Sequence, residues 1–220
     1  MSTFSHIAGD RALDLLNTVQ WRLDPEQLEE DLTSYERVLD WCEESELLTS
    51  GERASLCGLV EGSQKAAIAE LAYVISVRED AYSALFGGST RAADSLVRKY
   101  QEALGRAELR PESVRWVWRE KDLALSTPRD RIVRSLVDLF GSDSLDHLHQ
   151  CEDRACGWVF LDDSPRRNRR WCVSSDCGDR NRARTYYARK KESRIQEATL
   201  STSKKSSQSN QEELRENERK

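Results

Sequence analysis

The sequence predicts a mainly α-helical fold, with a helical N-terminal domain that could include one short β-hairpin and a small cysteine-rich C-terminal domain. Three observations support this prediction. Apolar residues recur at helical spacing through the first 140 residues, four of the six cysteines cluster near the C-terminal end, and the net charge changes sign there. Residues 1–150 have a net charge of −10, whereas residues 151–194 have a net charge of +5. We therefore predict domains at 1–148 and 149–194, followed by a disordered polar tail at 195–220.

Apolar residues between Ile7 and Val19 predict a first amphipathic helix that ends near Trp21. A second helix is predicted by apolar residues three and four positions apart, namely Leu32, Tyr35, Val38, Leu39 and Cys42. Thr33 and Glu36 have the spacing of a capping box at the start of that helix.

Three further helices are predicted before the middle of the chain. A shorter helix should begin after residues 49–52, which read Thr-Ser-Gly-Glu. The longest apolar stripe covers residues 68–86 and is stopped by the glycines at 87 and 88, since glycine readily adopts the left-handed conformation that ends helices. Apolar spacing then continues over residues 93–104, which predicts another helix.

A strand and a last helix complete the N-terminal domain. The β-branched and aromatic run Val114–Trp118 suits a short strand, which could pair with Leu123–Leu125. Thr127, Pro128 and Asp130 mark a helix start, with a capping threonine, proline in the first position and an acid in the first turn. A domain of this length buries enough apolar surface to fold without a metal.

The segment over residues 151–194 has few aliphatic residues, so an apolar core cannot be what stabilises it. Cys151 and Cys156 are followed, after fifteen residues, by Cys172 and Cys177. Two close cysteine pairs at this separation supply the four thiolates of a tetrahedral Zn²⁺ site. We predict one zinc ion per chain, whose loss should unfold this segment and leave the helical domain folded. Free thiols and a redox disulfide are the alternatives.

Short elements are predicted around these cysteines. Residues 158–160 and 169–171 suit two strands, and the chain after Cys177 contains no helix breaker, which predicts a helix. Gly157 and Gly178 follow the second cysteine of each pair and could turn backbone N–H groups toward the sulfur atoms.

The segment over residues 164–194 is strongly basic, with eleven Arg or Lys against three acidic residues. Four thiolates on Zn²⁺ leave a charge of −2, so most of this positive charge has no local partner. A basic stripe with one aromatic residue on a helix is typical of an element that tracks phosphates in the major groove. The predicted DNA-contacting residues are Arg166, Arg167, Arg169, Arg180, Arg182, Arg184, Tyr187, Lys190, Lys191 and Arg194. A solvated helix face, or one docked on the acidic N-terminal domain, is the alternative.

Polar residues interrupt the apolar stretches of the N-terminal domain, notably Asp14, Asn17 and Thr18 in the first helix and Arg78 in the longest. Buried polar groups have to be paired, which leaves two interpretations. One is a hydrogen-bonded brace between helices, and the other is a pocket in which Asn17 and Arg78 meet an anionic effector.

The sequence contains no recognisable catalytic motif, and zinc held by four cysteines has no open position at which to activate water. We therefore expect a protein that is not an enzyme. No apolar run is long enough to span a membrane, and the N-terminus lacks the features of a secretory signal. The expected location is the cytoplasm, in association with the nucleoid.

Residues 151–162, Arg169-Arg170-Trp171-Cys172 and Cys177-Gly178-Asp179-Arg180 resemble the CGNR-type zinc finger, with Asp179 standing where the family motif has asparagine. The N-terminal part resembles the ABATE domain that precedes this finger in a bacterial family. That part of the resemblance rests on residues 12–18, on the region of Trp41 before Leu47-Leu48, and on residues 77–79. The two parts together cover residues 8–192.

This resemblance implies a stress-induced transcription regulator whose zinc finger binds double-stranded DNA. The helical domain would then sense a signal, such as a small-molecule effector, or form a homodimer. The alternative is a zinc-stabilised module that binds protein or RNA without sequence-specific recognition of DNA.

Overall fold

The computed structural model describes residues 4–196 and confirms a mainly helical fold with short antiparallel strand pairs. The chain divides into two compact units between Cys172 and Val173. No helix among residues 4–196 is both long and apolar enough to cross a membrane. The predicted tail over 197–220 lies outside the described residues.

The first helix is shorter than predicted. Helix α1 covers Arg11–Leu16, and the carboxylate of Asp10 caps it by accepting a hydrogen bond of 2.7 Å from the backbone N–H of Ala12. The expected end near Trp21 is wrong, because Val19–Gln20 forms strand β1, which pairs antiparallel with strand β2 at Glu29–Glu30. The chain therefore turns away from the helix axis after one and a half turns.

The next two helices begin with side-chain caps. Helix α2 covers Tyr35–Glu44, and its cap is Ser34 instead of the predicted Thr33 and Glu36 pair. Helix α3 covers Ser50–Glu61 and begins with the capping box between Thr49 and Glu52, where each side chain accepts a hydrogen bond from the other residue's backbone N–H.

Helix α4, at Gln64–Gly87, and helix α5, at Thr90–Gly105, confirm the two helices that the apolar spacing predicts, and they contact each other. Gly88 ends α4 in the left-handed conformation, with φ of 59°. A residue with a side chain is strained at that backbone angle, so this position favours glycine.

Strand β4, at Arg115–Glu120, was predicted, but its expected partner at Leu123–Leu125 is wrong. It pairs with β3, at Ala107–Glu112, which precedes it in the chain, with Leu109 opposite Trp118. Helix α6 then covers Thr127–Phe140, with Pro128 in its first turn as predicted.

The cysteine-rich segment contributes side chains to the main core. Strand β5 covers Leu148–Gln150 and pairs with strand β6 at Val159–Leu161. The predicted pairing of this region with residues 169–171 is wrong, because those residues form no strand. Val159 and Leu161 pack in one apolar cluster with α1, α2, α4 and α6.

After Cys172 the chain forms a π-helical turn at Ser174–Gly178 and then helix α7, which is described over residues 179–196. This helix confirms the helix predicted after Cys177. It also includes residues 195–196, the first two of the predicted disordered tail.

The capping box of α3 also carries an ion pair whose effect depends on pH. Arg131 donates to both carboxylate oxygens of Glu52, at 2.6 and 3.0 Å, and these bonds lower the pKa of Glu52 from 4.5 to about 2. Because the folded-state pKa is depressed, the stabilisation is complete above the unfolded pKa and is lost as the pH falls from 4.5 toward 2.

We expect Glu52→Gln to reduce the loss of stability on acidification. The measurement is the free energy of unfolding by urea at about pH 6 and about pH 3, because more than half of the range from 4.5 to 2, over which the stabilisation is lost, lies between these two values. Glu61→Gln, at an exposed position of the same helix, is the control. An unchanged pH dependence in Glu52→Gln would contradict the assignment.

Candidate functional site

The four cysteines of the predicted metal site lie together and are buried. The sulfur atoms of Cys151, Cys156, Cys172 and Cys177 all lie within 4.8 Å of one another, and none forms a disulfide. The sulfurs of Cys156 and Cys172 are 3.6 Å apart. Tetrahedral zinc with Zn–S bonds of about 2.3 Å requires sulfur separations of about 3.8 Å. The geometry and the thiol chemistry both fit one Zn²⁺ ion, which is the cofactor of this chain.

The first cysteine pair is held by a tight turn. The backbone N–H of Cys151 donates to the carbonyl of Trp158 at 2.8 Å, and that of Cys156 donates to the carbonyl of Asp153 at 3.0 Å. Gly157 has φ of 71°, and a Cβ atom there would lie 2.9 Å from Cβ of Arg22. The backbone angle and the close neighbour both favour glycine at this position.

The second pair is held differently. Gly178 lies in the π-helical turn and is not among the glycines with positive φ. The guanidinium of Arg180 donates to the sulfur of Cys177 at 2.8 Å and also pairs with Asp176. A cation bonded to a ligand sulfur offsets part of the −2 charge that four thiolates leave on Zn²⁺.

Residues near the N-terminus hold the metal-binding turn, and sequence spacing gave no sign of this. Backbone N–H groups of Arg22 and Leu23 donate to the carbonyls of Cys156 and Ala155, at 3.0 and 3.1 Å. The indole N–H of Trp158 donates to the carbonyl of Val19 at 2.9 Å. The compact unit that ends at Cys172 thus includes the first cysteine pair as an integral part.

Asn17 joins helix α1 to strand β6. Its amide donates to the carbonyl of Val159 at 2.9 Å, and its amide oxygen accepts from the N–H of Val159 at 2.8 Å. Both groups are buried, so this pair satisfies the backbone of a core strand.

Arg78 is also fully engaged. Its guanidinium forms two bonds to Glu30, at 2.6 and 2.7 Å, and further bonds to Thr18 and Glu79. Asn17 and Arg78 therefore have partners of their own, and the predicted effector pocket at these two residues is replaced by the brace. Arg78 holds β2 and the α1–β1 connection against α4.

Arg169, one of the predicted DNA contacts, has partners within the protein. Its guanidinium lies 4.0 Å from the centre of the Phe160 ring and donates to the carbonyls of Trp171 and Cys172, at 3.1 and 2.6 Å. These bonds orient the chain at the third cysteine. Arg180 likewise serves the metal site through Cys177.

The other predicted DNA-contacting residues lie on the loop after β6 or on α7. Arg166 and Arg167 are exposed on the loop, and Arg182 forms an ion pair with Asp179 on the first turn of the helix. The exposed residues further along α7 are Tyr187, Lys190, Lys191 and Arg194, while Arg184 is half-buried.

Family models match both parts of the chain. The model of ABATE, described as "Putative stress-induced transcription regulator", matches residues 9–143, and the model of the CGNR zinc finger matches residues 147–190. Neither description is that of an enzyme family. No curated protein matches the chain closely enough to count as a relative. Because the first model covers more than half of the sequence, the chain belongs to the ABATE family, and it carries a CGNR zinc finger.

Proposed function

We propose that this protein is a zinc-dependent transcription regulator that binds double-stranded DNA through helix α7. The observation that carries the proposal is the composition of this helix, which has seven Arg or Lys and two acidic residues over 179–196. Such an excess of cations on one exposed helix favours binding to the phosphate backbone. In this proposal the helical domain senses a signal or forms a homodimer, and the protein acts at the nucleoid.

The zinc ion has a structural role in this proposal. Four thiolates occupy all positions of a tetrahedral ion, so the metal has no site for substrate or water, and we propose a regulator instead of an enzyme. The ion fixes the turn from which α7 begins, since Cys177 lies one residue before the last residue of that turn. A helix with a fixed origin presents its side chains at a defined angle, as recognition of a groove requires.

Spacing along α7 identifies the contact face. Arg184, Tyr187, Lys191 and Arg194 recur at intervals of three, four and three residues, which places them on one side of a helix. Tyr187 is 67% exposed and can pack against a sugar or a base. The cations of this face bind phosphates in this proposal, and the tyrosine contacts a sugar or a base.

The test is charge reversal on that face. We expect Arg184→Glu with Lys191→Glu to abolish binding to duplexes selected from fragmented genomic DNA, while zinc remains bound, because neither residue is a ligand. The matched control is Arg91→Glu with Arg98→Glu, two exposed residues with the same separation on α5. Fluorescence anisotropy measures the affinity.

The dependence of affinity on salt gives a second readout. Arg184→Ala with Lys191→Ala should flatten the slope of log affinity against log salt concentration by about two units, since each lost phosphate contact reduces the slope by about 0.9. If the charge-reversal variant binds DNA as tightly as the unmodified protein, with the same salt slope, this face of α7 is not the DNA-binding surface. A zinc-stabilised module for protein or RNA would then be the better proposal.

A further inference from the structure

A cleft of about 840 Å³ opens in the helical domain, away from the metal site and from Asn17 and Arg78. Its wall includes one face of α6, the start of α3 and one side of the β3–β4 hairpin. The residues that matter for its chemistry are Thr49, Trp118, Arg131, Arg134, Ser135 and Asp138.

Arg134 is the unusual residue of this cleft. It is 7% exposed, and one nitrogen of its guanidinium, Nη2, donates to the carboxylate of Glu120. The other nitrogen, Nη1, is buried and has no hydrogen-bond partner within the part of the chain that the structure describes. An unpaired buried donor on a charged group is costly, and such groups in native proteins usually have a partner, which can be a ligand.

Arg131 lies one turn earlier on α6 and, unlike Arg134, uses its guanidinium nitrogens in hydrogen bonds within the protein. It donates to both oxygens of Glu52, to the carbonyl of Leu47 and to Glu120, so its guanidinium is satisfied by the protein. Of these two arginines, Arg134 is the one whose guanidinium keeps a donor without a hydrogen-bond partner among the described residues.

An acidic group lies one turn beyond Arg134. Asp138 is exposed and forms neither an ion pair nor a hydrogen bond with residues 4–196, whereas Glu43 and Glu46 of the same cleft pair with Arg53 and Arg11. Side chains four residues apart on a helix have Cβ atoms about 5–6 Å apart. The cleft therefore presents a cation with one unsatisfied donor and, one helical turn away, a carboxylate on which the charge of that cation acts.

We propose that this cleft binds a free α-amino acid. The carboxylate of the ligand accepts from Nη1 of Arg134, its ammonium group donates to Asp138, and an apolar side chain packs on Trp118, which is 41% exposed. The hydroxyl groups of Thr49 and Ser135 offer further hydrogen bonds. This inference goes beyond the proposed function, since it assigns a small-molecule site that does not depend on DNA binding.

The test is isothermal titration calorimetry on the full zinc-loaded protein, without DNA, with each of the common free L-amino acids. We expect at least one to bind, and its N-acetyl and amide derivatives, which each lack one charge, to bind about tenfold to a hundredfold more weakly. Asp138→Asn should weaken binding of the free amino acid by a similar factor. Asp94→Asn, an exposed carboxylate outside the cleft, is the matched control and should change nothing.

Arg134→Gln should abolish binding, provided that circular dichroism shows the variant to be folded. Because the blocked ligands and Asp138→Asn leave Arg134 untouched, they test the proposal even if that variant does not fold. The proposal is wrong if no amino acid binds. It is also wrong if the blocked derivatives bind as tightly as the free amino acid and Asp138→Asn binds the free amino acid as tightly as the unmodified protein does. Neither result would affect the DNA-binding proposal, which is measured separately.

Discussion

Cys172→Ser should remove the zinc ion and unfold the compact unit that ends at Cys172, including its helices. Structural zinc in small domains contributes about 10–16 kcal/mol to folding, which is as large as the whole stability of a typical domain. The reason that the effect spreads is the position of β6, whose residues Val159 and Leu161 lie in the same core as α1 and α6. Metal analysis and the helical circular dichroism signal measure the two losses.

Cys57→Ser is the control for this experiment, because Cys57 is a half-buried thiol outside the metal site. It should keep one zinc ion per chain and most of the helical signal. If Cys172→Ser lost zinc but kept the full cooperative unfolding of the helices, the helical part would be independent of the metal, as the sequence alone predicts.

Asn17→Leu should lower the free energy of unfolding by about 2–6 kcal/mol. The substitution leaves the N–H and the carbonyl of Val159 buried and without their present partners, and each unpaired group costs about 1–3 kcal/mol. Denaturant unfolding measures the change. Asn168→Leu, at an exposed position, makes the same chemical substitution and should change the stability little. A similar small loss for both variants would show that the brace is not a stabilising feature.

The parts of the fold predicted from sequence are those fixed by nearby residues. Gly88 ends α4 through its own backbone conformation, and Pro128 marks the first turn of α6. The four cysteines identify their metal from residue type and spacing alone. These short-range signals can be recognised in the sequence because few other local structures are compatible with the same residues at the same spacing.

The errors concern partners that are distant or ambiguous in sequence. Strand β4 pairs with β3, whose sequence Ala-Glu-Leu-Arg-Pro-Glu lacks the β-branched and aromatic residues typical of a strand, so residues 123–125 are the partner that the sequence favours. Strand β6 pairs with β5 across the first cysteine pair instead of with residues 169–171. Pairing of this kind depends on how the whole chain packs, which composition and periodicity do not record.

The count of charged residues identifies the basic segment, but it does not show what each basic side chain binds. Arg169 and Arg180 contribute to the basic composition of the finger, yet the guanidinium of one binds backbone carbonyls and that of the other binds a ligand sulfur. Arg134 was unremarkable in the sequence, because its unpaired nitrogen becomes visible only when its neighbours are placed.

The hydrogen bond between Asn17 and Val159 joins residues 142 positions apart, so it can form only after the ribosome has synthesised the chain as far as Val159. At about 5–20 residues per second, the ribosome needs about 7–30 s to travel between them. During that time α1 has left the ribosome without the strand that completes its core. A chain that stops before β6 leaves this apolar surface exposed, and exposed apolar surface makes an incomplete chain prone to aggregation.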